Sequence, residues 1–265
     1  MSNIIYTKET LTAELHKIAD MGWIENGRHG NHGGIGNTLE DLLGIEENNL
    51  PIPNAAEWEL KAQKLNTTSL TTLFHIEPSP RALRFVPQIL LPNFGWPHQE
   101  AGAKYQHTEL SFRQTIHGRC RSDRGFKVVI NTEEQKVQIS FDYNSVSLEN
   151  QNWLESVKQR RGSLDELDPQ PYWGFDDLAH KAGTKLLNCF YVQAEVKKIE
   201  GKEYFKYSKV MMLKKFKFDG FLKALHDGQI LIDFDARTGH NHGTKFRLKQ
   251  NCLPSLYEEA IPIIG

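Results

Sequence analysis

Two residues of opposite charge, Glu59 and Lys61, stand two apart in the run Asn54-Ala55-Ala56-Glu57-Trp58-Glu59-Leu60-Lys61. Read as a strand, the run sends Trp58 and Leu60 to one face and Glu59 and Lys61 to the other. An acid and a lysine on one face, framed by apolar residues, suit a metal-dependent site that cleaves phosphodiesters. The carboxylate can ligate Mg²⁺, and the ammonium can position or help deprotonate the attacking water. The plain alternative is a half-exposed strand with a solvated Glu–Lys pair, and the octapeptide by itself favours that alternative. A third residue, Glu40, belongs to Asn37-Thr38-Leu39-Glu40-Asp41-Leu42-Leu43-Gly44-Ile45. There Asn37 or Thr38 can cap a short helix that Gly44 stops. Leu39, Leu42 and Leu43 take the buried face. Glu40 sits one step from it, where it can lean towards a site across from residues 58–62 or remain a solvated first-turn acid.

A second concentration of chemistry lies late in the chain, in Asp235-Ala236-Arg237-Thr238-Gly239-His240-Asn241-His242-Gly243-Thr244-Lys245-Phe246-Arg247. Asp235, Arg237, His240, His242, Lys245 and Arg247 supply acceptors and bidentate donors between glycines. Arginine reads guanine edges and aspartate can accept from cytosine N4; histidine can donate to guanine or to phosphate according to its protonation. A polar surface loop is the competing interpretation. The literal tripeptide His240-Asn241-His242 does not make an HNH nuclease, whose three residues are separated along a ββα fold. As a zinc site the two histidines lack a third ligand at suitable spacing. His75 is a candidate base or phosphate contact, or equally a satisfied core histidine. Arg81 and Arg84 follow Pro80 and offer phosphate contacts or ordinary surface charge.

The elements that must position these residues are legible in outline. Residues 7–20 read as an amphipathic helix with the stripe Leu11, Leu15, Ile18, capped by Thr7 with Thr10. The glycine-rich segment 27–36 reads as a loop, but no strand precedes it and no GK[ST] ends it, so it is no nucleotide-binding loop. Residues 69–77 suit a strand ended by Pro78 and Pro80. Residues 81–118 are a proline-interrupted connection without an assigned element. A hairpin follows at 125–130 and 136–141, then a helix at 150–161 and another from Phe175 to Lys185. Strands are expected at 186–196 and 204–212 around Gly201, a helix at 218–226 with Asp219 as cap, and a strand at 229–234. The pattern is α+β, mixed α/β with mostly antiparallel sheets.

Bulk composition narrows the class without naming it. The chain of 265 residues carries 25% charged and 10% aromatic residues with a net charge of −1, ordinary globular values that allow one large domain or two lobes. Global charge does not announce a nucleic-acid binder, but a cleft needs only a local basic lining. Arg113, Arg119, Arg121, Arg124 and Lys127 form one basic group and the lysines between 197 and 217 another; such runs are solvated faces more often than phosphate tracks. Cys120, Cys189 and Cys252 form no CxxC pair, against a disulfide framework or cysteine-rich zinc site. No signal peptide and no apolar run of spanning length are evident, so a reducing cytoplasm and no membrane are expected.

The run Gly36-Asn37-Thr38-Leu39-Glu40-Asp41-Leu42-Leu43-Gly44, followed by Trp58-Glu59-Leu60-Lys61, resembles the MutH-type branch of the PD-(D/E)XK nucleases. Within it the chain resembles the MvaI/BcnI group of type II restriction endonucleases over most of its length. Residues 176–195 and the late His-x-His loop also fit. The resemblance implies a PD-(D/E)XK core, a mixed central sheet flanked by helices, in a single two-lobed unit over 1–265 with a DNA cleft. The catalytic lobe would lie around 28–80 with 175–215, and recognition elements within 81–145 and 228–265. It implies a Mg²⁺-dependent site-specific endonuclease, with Mn²⁺ as substitute. Such an enzyme acts as a monomer on double-stranded DNA at a short CC-N-GG-like site, with a cognate DNA methyltransferase in the same cell. Carried over by position, Glu59 is a metal ligand, Lys61 the water-orienting lysine and Glu40 the supporting helix acid.

One departure stands out. The family's first acid falls where this chain has Asn54, after Pro53. An amide oxygen can ligate Mg²⁺ but brings no charge. Asn54 is therefore a neutral ligand supported by Glu40 or Glu57, a substitution that disables cleavage while retaining DNA binding, or a sign that Glu57 takes the role. A strand-nicking repair endonuclease of the MutH kind is the alternative enzyme, and a sequence-specific DNA-binding protein with a weakened nuclease site the alternative outside catalysis.

Overall fold

The computed structural model describes residues 6–28, 34–45 and 58–265. Its helices are α1 (Lys8–Asp20), α2 (Gly34–Leu43), α3 (Leu91–Phe94), α4 (Gln151–Arg161), α5 (Phe175–Leu186) and α6 (Phe218–His226). The strands begin with β1 (Ile24–Glu25), β2 (Glu59–Lys64), β3 (Thr71–His75), β4 (Trp96–Pro97), β5 (Leu110–Ile116), β6 (Arg124–Asn131) and β7 (Lys136–Val146). They continue with β8 (Tyr172–Gly174), β9 (Asn188–Ile199), β10 (Lys202–Phe216), β11 (Ile230–Arg237), β12 (His240–Asn241), β13 (Lys245–Leu248) and β14 (Tyr257–Ile264). The chain divides into two compact units. One comprises 1–71, 180–220 and 249–265, the other 72–179 and 221–248.

The first unit is built on the sheet β1-β10-β9-β2, with β14 pairing β10. All of its pairings are antiparallel except β2 with β9, which is parallel in the register Glu59↔Cys189, Leu60↔Phe190, Lys61↔Tyr191. The helices α1 and α2 cover one face. Leu11, Leu15, Ile18, Leu39 and Leu43 pack with Trp58, Leu60, Phe190, Val192 and Met212 in one apolar cluster. The Trp58 and Phe190 rings meet at 4.8 Å between centroids. Thr7 caps α1 in the box with Thr10 that the sequence offered.

One boundary differs from expectation in this unit. The helix carrying Glu40 begins at Gly34, so Asn37 and Thr38 lie inside it and neither caps it. The tertiary contact responsible is Asn26, whose side chain sits where a Cβ on Gly34 would come within 2.9 Å and accepts from buried Thr38 Oγ1 at 3.4 Å. Gly44 does end the helix, at φ 64°. The C-terminal segment supplies β14 to the sheet of Glu59.

The second unit holds two sheets, β3-β13-β11-β5-β4 with β12 on β11, and β6-β7-β8. Buried rings join them: Phe112 lies 5.8 Å from Phe126, and Trp173 lies 5.3 Å from Phe246. The connection 81–118, left without elements by the sequence, contains helical turns, α3, β4 and β5. The strand expected at 229–234 runs on to Arg237, so Asp235 and Arg237 are strand residues. The central basic group is partly internal: Arg121 donates to Gly125 O at 2.8 Å and Ser140 Oγ at 3.0 Å. Arg124 lies 4.1 Å over the Trp96 ring. No helix among the described residues is long and apolar enough to cross a membrane.

Candidate functional site

Glu59 is the most deeply buried charged side chain of the described residues, 1% exposed. Its burial follows from the strand alternation. Trp58 and Leu60 enter the helix-covered core, and Glu59, Lys61 and Gln63 turn to the other face beside Cys189, Tyr191 and Gln193. Lys61 Nζ sits 2.6 Å from Glu59 Oε1. Lys185, in the last turn of α5, sits 3.0 Å from Oε2. That second contact is an ion pair without hydrogen-bond geometry, and Oε2 has no hydrogen-bond partner among the described residues. Both lysines are themselves largely covered, 14% and 15% exposed. One carboxylate is thus gripped from two elements, an arrangement that fixes its plane. Buried ions left unpaired are expensive, so both ammoniums have a reason to stay.

The surroundings are electrostatically coupled to this acid. Burial, and after it the Glu59 charge, push the Cys189 thiol up. Burial likewise holds the Tyr257 hydroxyl well above its usual range, with Cys189 and Glu59 adding to the effect. Further along the face, Tyr191 donates to Gln63 Oε1 at 2.9 Å and accepts from Gln193 Nε2 at 3.2 Å, and Gln63 Nε2 donates to Ser69 O at 2.8 Å. Glu40 is in the same unit, half-buried, on a helix whose Leu39 and Leu43 cover the Trp58–Leu60 side of β2. Asn54 and Glu57 lie outside the described residues. Lys185 escaped the sequence analysis. Its only local signal is a basic residue in a helix's last turn, and its importance depends on the long-range pairing of β2 with β9.

The late charged segment forms a second constellation, in the other unit. Along β11 the residues Ile232, Phe234 and Ala236 face inward and Asp233, Asp235 and Arg237 outward. Registers with β5 and β13 then line up partners across three strands. Asp235 receives Arg113 Nε at 2.8 Å and Lys245 Nζ at 3.5 Å. Asp233 receives Thr115 Oγ1 at 3.0 Å and Arg247 at 3.1 Å. Arg237 reaches Glu109 at 3.0 Å and lies 4.6 Å over the Tyr105 ring. The His240 and His242 rings meet edge to face at 4.2 Å. Asp235, Arg237, Arg113 and His242 line a cavity of about 220 Å³ together with His98 and Tyr105.

One further acid organises this face. Glu77 accepts from Thr244 N at 2.8 Å and from Thr244 Oγ1 at 3.2 Å, fixing the loop between His242 and Lys245. His75 is exposed at the end of β3, so it is no core histidine. Its ring and Glu77 lie beside Gly243, which has φ 83°. Sequence reasoning held Arg113 only as a member of a basic run and missed Glu109 and Glu77. The structure therefore gathers Glu59 and Lys61 in one unit and the six late residues with His75 in the other.

A model of the MvaI/BcnI restriction endonuclease family matches residues 12–257. Among solved structures the chain is similar to the restriction endonuclease MvaI–cognate DNA substrate complex. The identity is 26%, over 98% of this chain and 100% of that one, at TM-score 0.75. It is also similar to restriction endonuclease MvaI in the absence of DNA, with 25% identity over 100% of both chains and TM-score 0.56. No curated protein sequence matches.

Proposed function

The chain belongs to the MvaI/BcnI restriction endonuclease family, as a type II site-specific deoxyribonuclease of PD-(D/E)XK fold, and on that premise we propose that Glu59 and Lys61 are its cleavage centre. The buried Glu59–Lys61 pair at 2.6 Å carries this assignment. We further propose that the outward face of β5, β11 and β13, with Asp235, Arg237, His240, His242, Lys245, Arg247 and His75, contacts double-stranded DNA.

The donor chemistry fits a divalent cation, Mg²⁺ or Mn²⁺, at Glu59. Its Oε2 is a buried carboxylate oxygen without a hydrogen bond among the described residues, the hard donor that Mg²⁺ takes. The described residues hold no cluster of three acid, histidine or cysteine ligands. Asn54 would add an amide oxygen and Glu40 supporting charge. When bound, the cation supplies Lewis-acid polarisation of the phosphoryl oxygen. Lys61, held in place by Oε1, positions the attacking water through its ammonium. In hydrolysis the water oxygen bonds to phosphorus as one ester oxygen leaves and takes up a proton.

Arginines held by carboxylates are pre-aimed. The pairs Arg113–Asp235 and Arg237–Glu109 reduce the side-chain entropy lost when a guanidinium engages a base edge or phosphate. The family resemblance supports a short CC-N-GG-like site, action as a monomer, and a cytoplasmic setting beside a cognate methyltransferase. Incubation with Mg²⁺ and plasmid should yield discrete fragments whose sequenced ends give the site and stagger. Intact or uniformly degraded DNA would refute the proposal, and nicked circles as the end product would point to MutH-like nicking. Asn54 motivates one further possibility, a DNA-binding protein with a weakened nuclease site; selective gel shifts without cleavage in Mg²⁺ or Mn²⁺ would favour it.

A further inference from the structure

We propose that Lys185 is a positioning residue that competes with the catalytic cation for Glu59. This rests on the assignment of Glu59 as a ligand. The two oxygens of Glu59 are not equivalent. Oε1 is taken by Lys61, two residues along the same strand, at 2.6 Å. Oε2 is faced by Lys185 at 3.0 Å but has no hydrogen bond among the described residues. The oxygen available to a cation is therefore the one that Lys185 neutralises.

The two lysines also differ in how they are carried. Lys61 is fixed within a strand flanked by the parallel partner β9. Lys185 projects from the last turn of α5, ahead of β9. A long flexible stem at a helix end can move its ammonium aside with little change in the backbone. A cation arriving at Oε2 meets like charge from Lys185 and must displace it. Until then, Lys185 keeps a buried carboxylate ion-paired that would otherwise sit beside Lys61 alone. Such a device holds the site ordered yet raises the cation concentration it needs.

The sign of one measurement separates this role from simple structural support. Mn²⁺ is titrated into the protein without DNA, with free ion followed by its electron paramagnetic resonance. The wild type is compared with Lys185→Gln, Lys185→Arg and Glu59→Gln, each checked for a cooperative melt. Lys185→Gln should bind Mn²⁺ more tightly by about tenfold, the equivalent of removing a competitor worth ~1.4 kcal/mol. Lys185→Arg should stay near wild type, and Glu59→Gln should lose the site. Half-saturating Mg²⁺ for DNA cleavage should fall in Lys185→Gln in parallel. Unchanged or weaker Mn²⁺ binding in Lys185→Gln, with Glu59→Gln still abolishing it, overturns the competition alone. Unchanged binding in Glu59→Gln overturns the ligand assignment, and the competition with it.

Discussion

Replacing Lys61 and Lys185 with Met, singly and together, tests whether the two lysines share one carboxylate. Removing one partner of an isolated buried ion pair typically costs ~3–5 kcal/mol, because a charge is stranded. Glu59, at 1% exposure, is buried enough for that figure to apply. Each single replacement leaves the other ammonium in place, at 3.0 Å or 2.6 Å, so each should cost only about 1–1.5 kcal/mol. The double replacement strands the carboxylate and should cost about 4–5 kcal/mol, exceeding the sum of the singles by ~1 kcal/mol or more. At roughly 2–4 °C per kcal/mol, the singles melt several degrees lower and the double well below both. Chemical denaturation of all four proteins, followed by probes in the unit that carries Glu59, gives the coupling energy. Strict additivity would refute the shared carboxylate. The same proteins separate stability from chemistry: Lys61→Met should lose about 10²-fold or more in cleavage while binding DNA normally in Ca²⁺.

Glu77→Ala removes both acceptors of Thr244 and should cost about 1–3 kcal/mol, together with DNA affinity, in melting and gel-shift measurements. Asp235→Asn releases Arg113 and Lys245 from their shared acid; discrimination between cognate and single-mismatch sites, normally about 1–3 kcal/mol per base pair, should shrink in competition assays. Asn54→Asp restores a charged oxygen beside the Glu-x-Lys strand and should lower the Mg²⁺ needed for cleavage; no change would locate the missing charge elsewhere. Iodoacetamide should modify exposed Cys120 in the folded enzyme, whereas Cys189, buried with its thiol held protonated, should react only after unfolding, as peptide mass mapping would show.

The sequence specified which side of each element faces inward more readily than it specified what the outward side meets. Trp58 and Leu60 declare their face by a period of two, and the stripe Leu11, Leu15, Ile18 declares α1 by its helical period; both packed as read. Gly34 and Gly36 look like loop locally, yet both lie in the helix, whose Thr38 donates to Asn26 and whose Gly34 packs against it. Strand β5 also alternates, with Phe112 buried and Arg113 exposed, but prolines and histidines before it obscured the period. Charge partners are harder still, because they depend on pairings distant in sequence. Lys185 matters only because Cys189 lies in register with Glu59, and Arg113 only because β5 lies in register with β11. In both constellations one partner was visible in a motif and the other came from a strand or helix whose place no local pattern fixes. The motif supplies the acid and lysine proposed to react; the fold supplies the counter-charges that hold them. A search for further members of such a site should therefore start from sheet register.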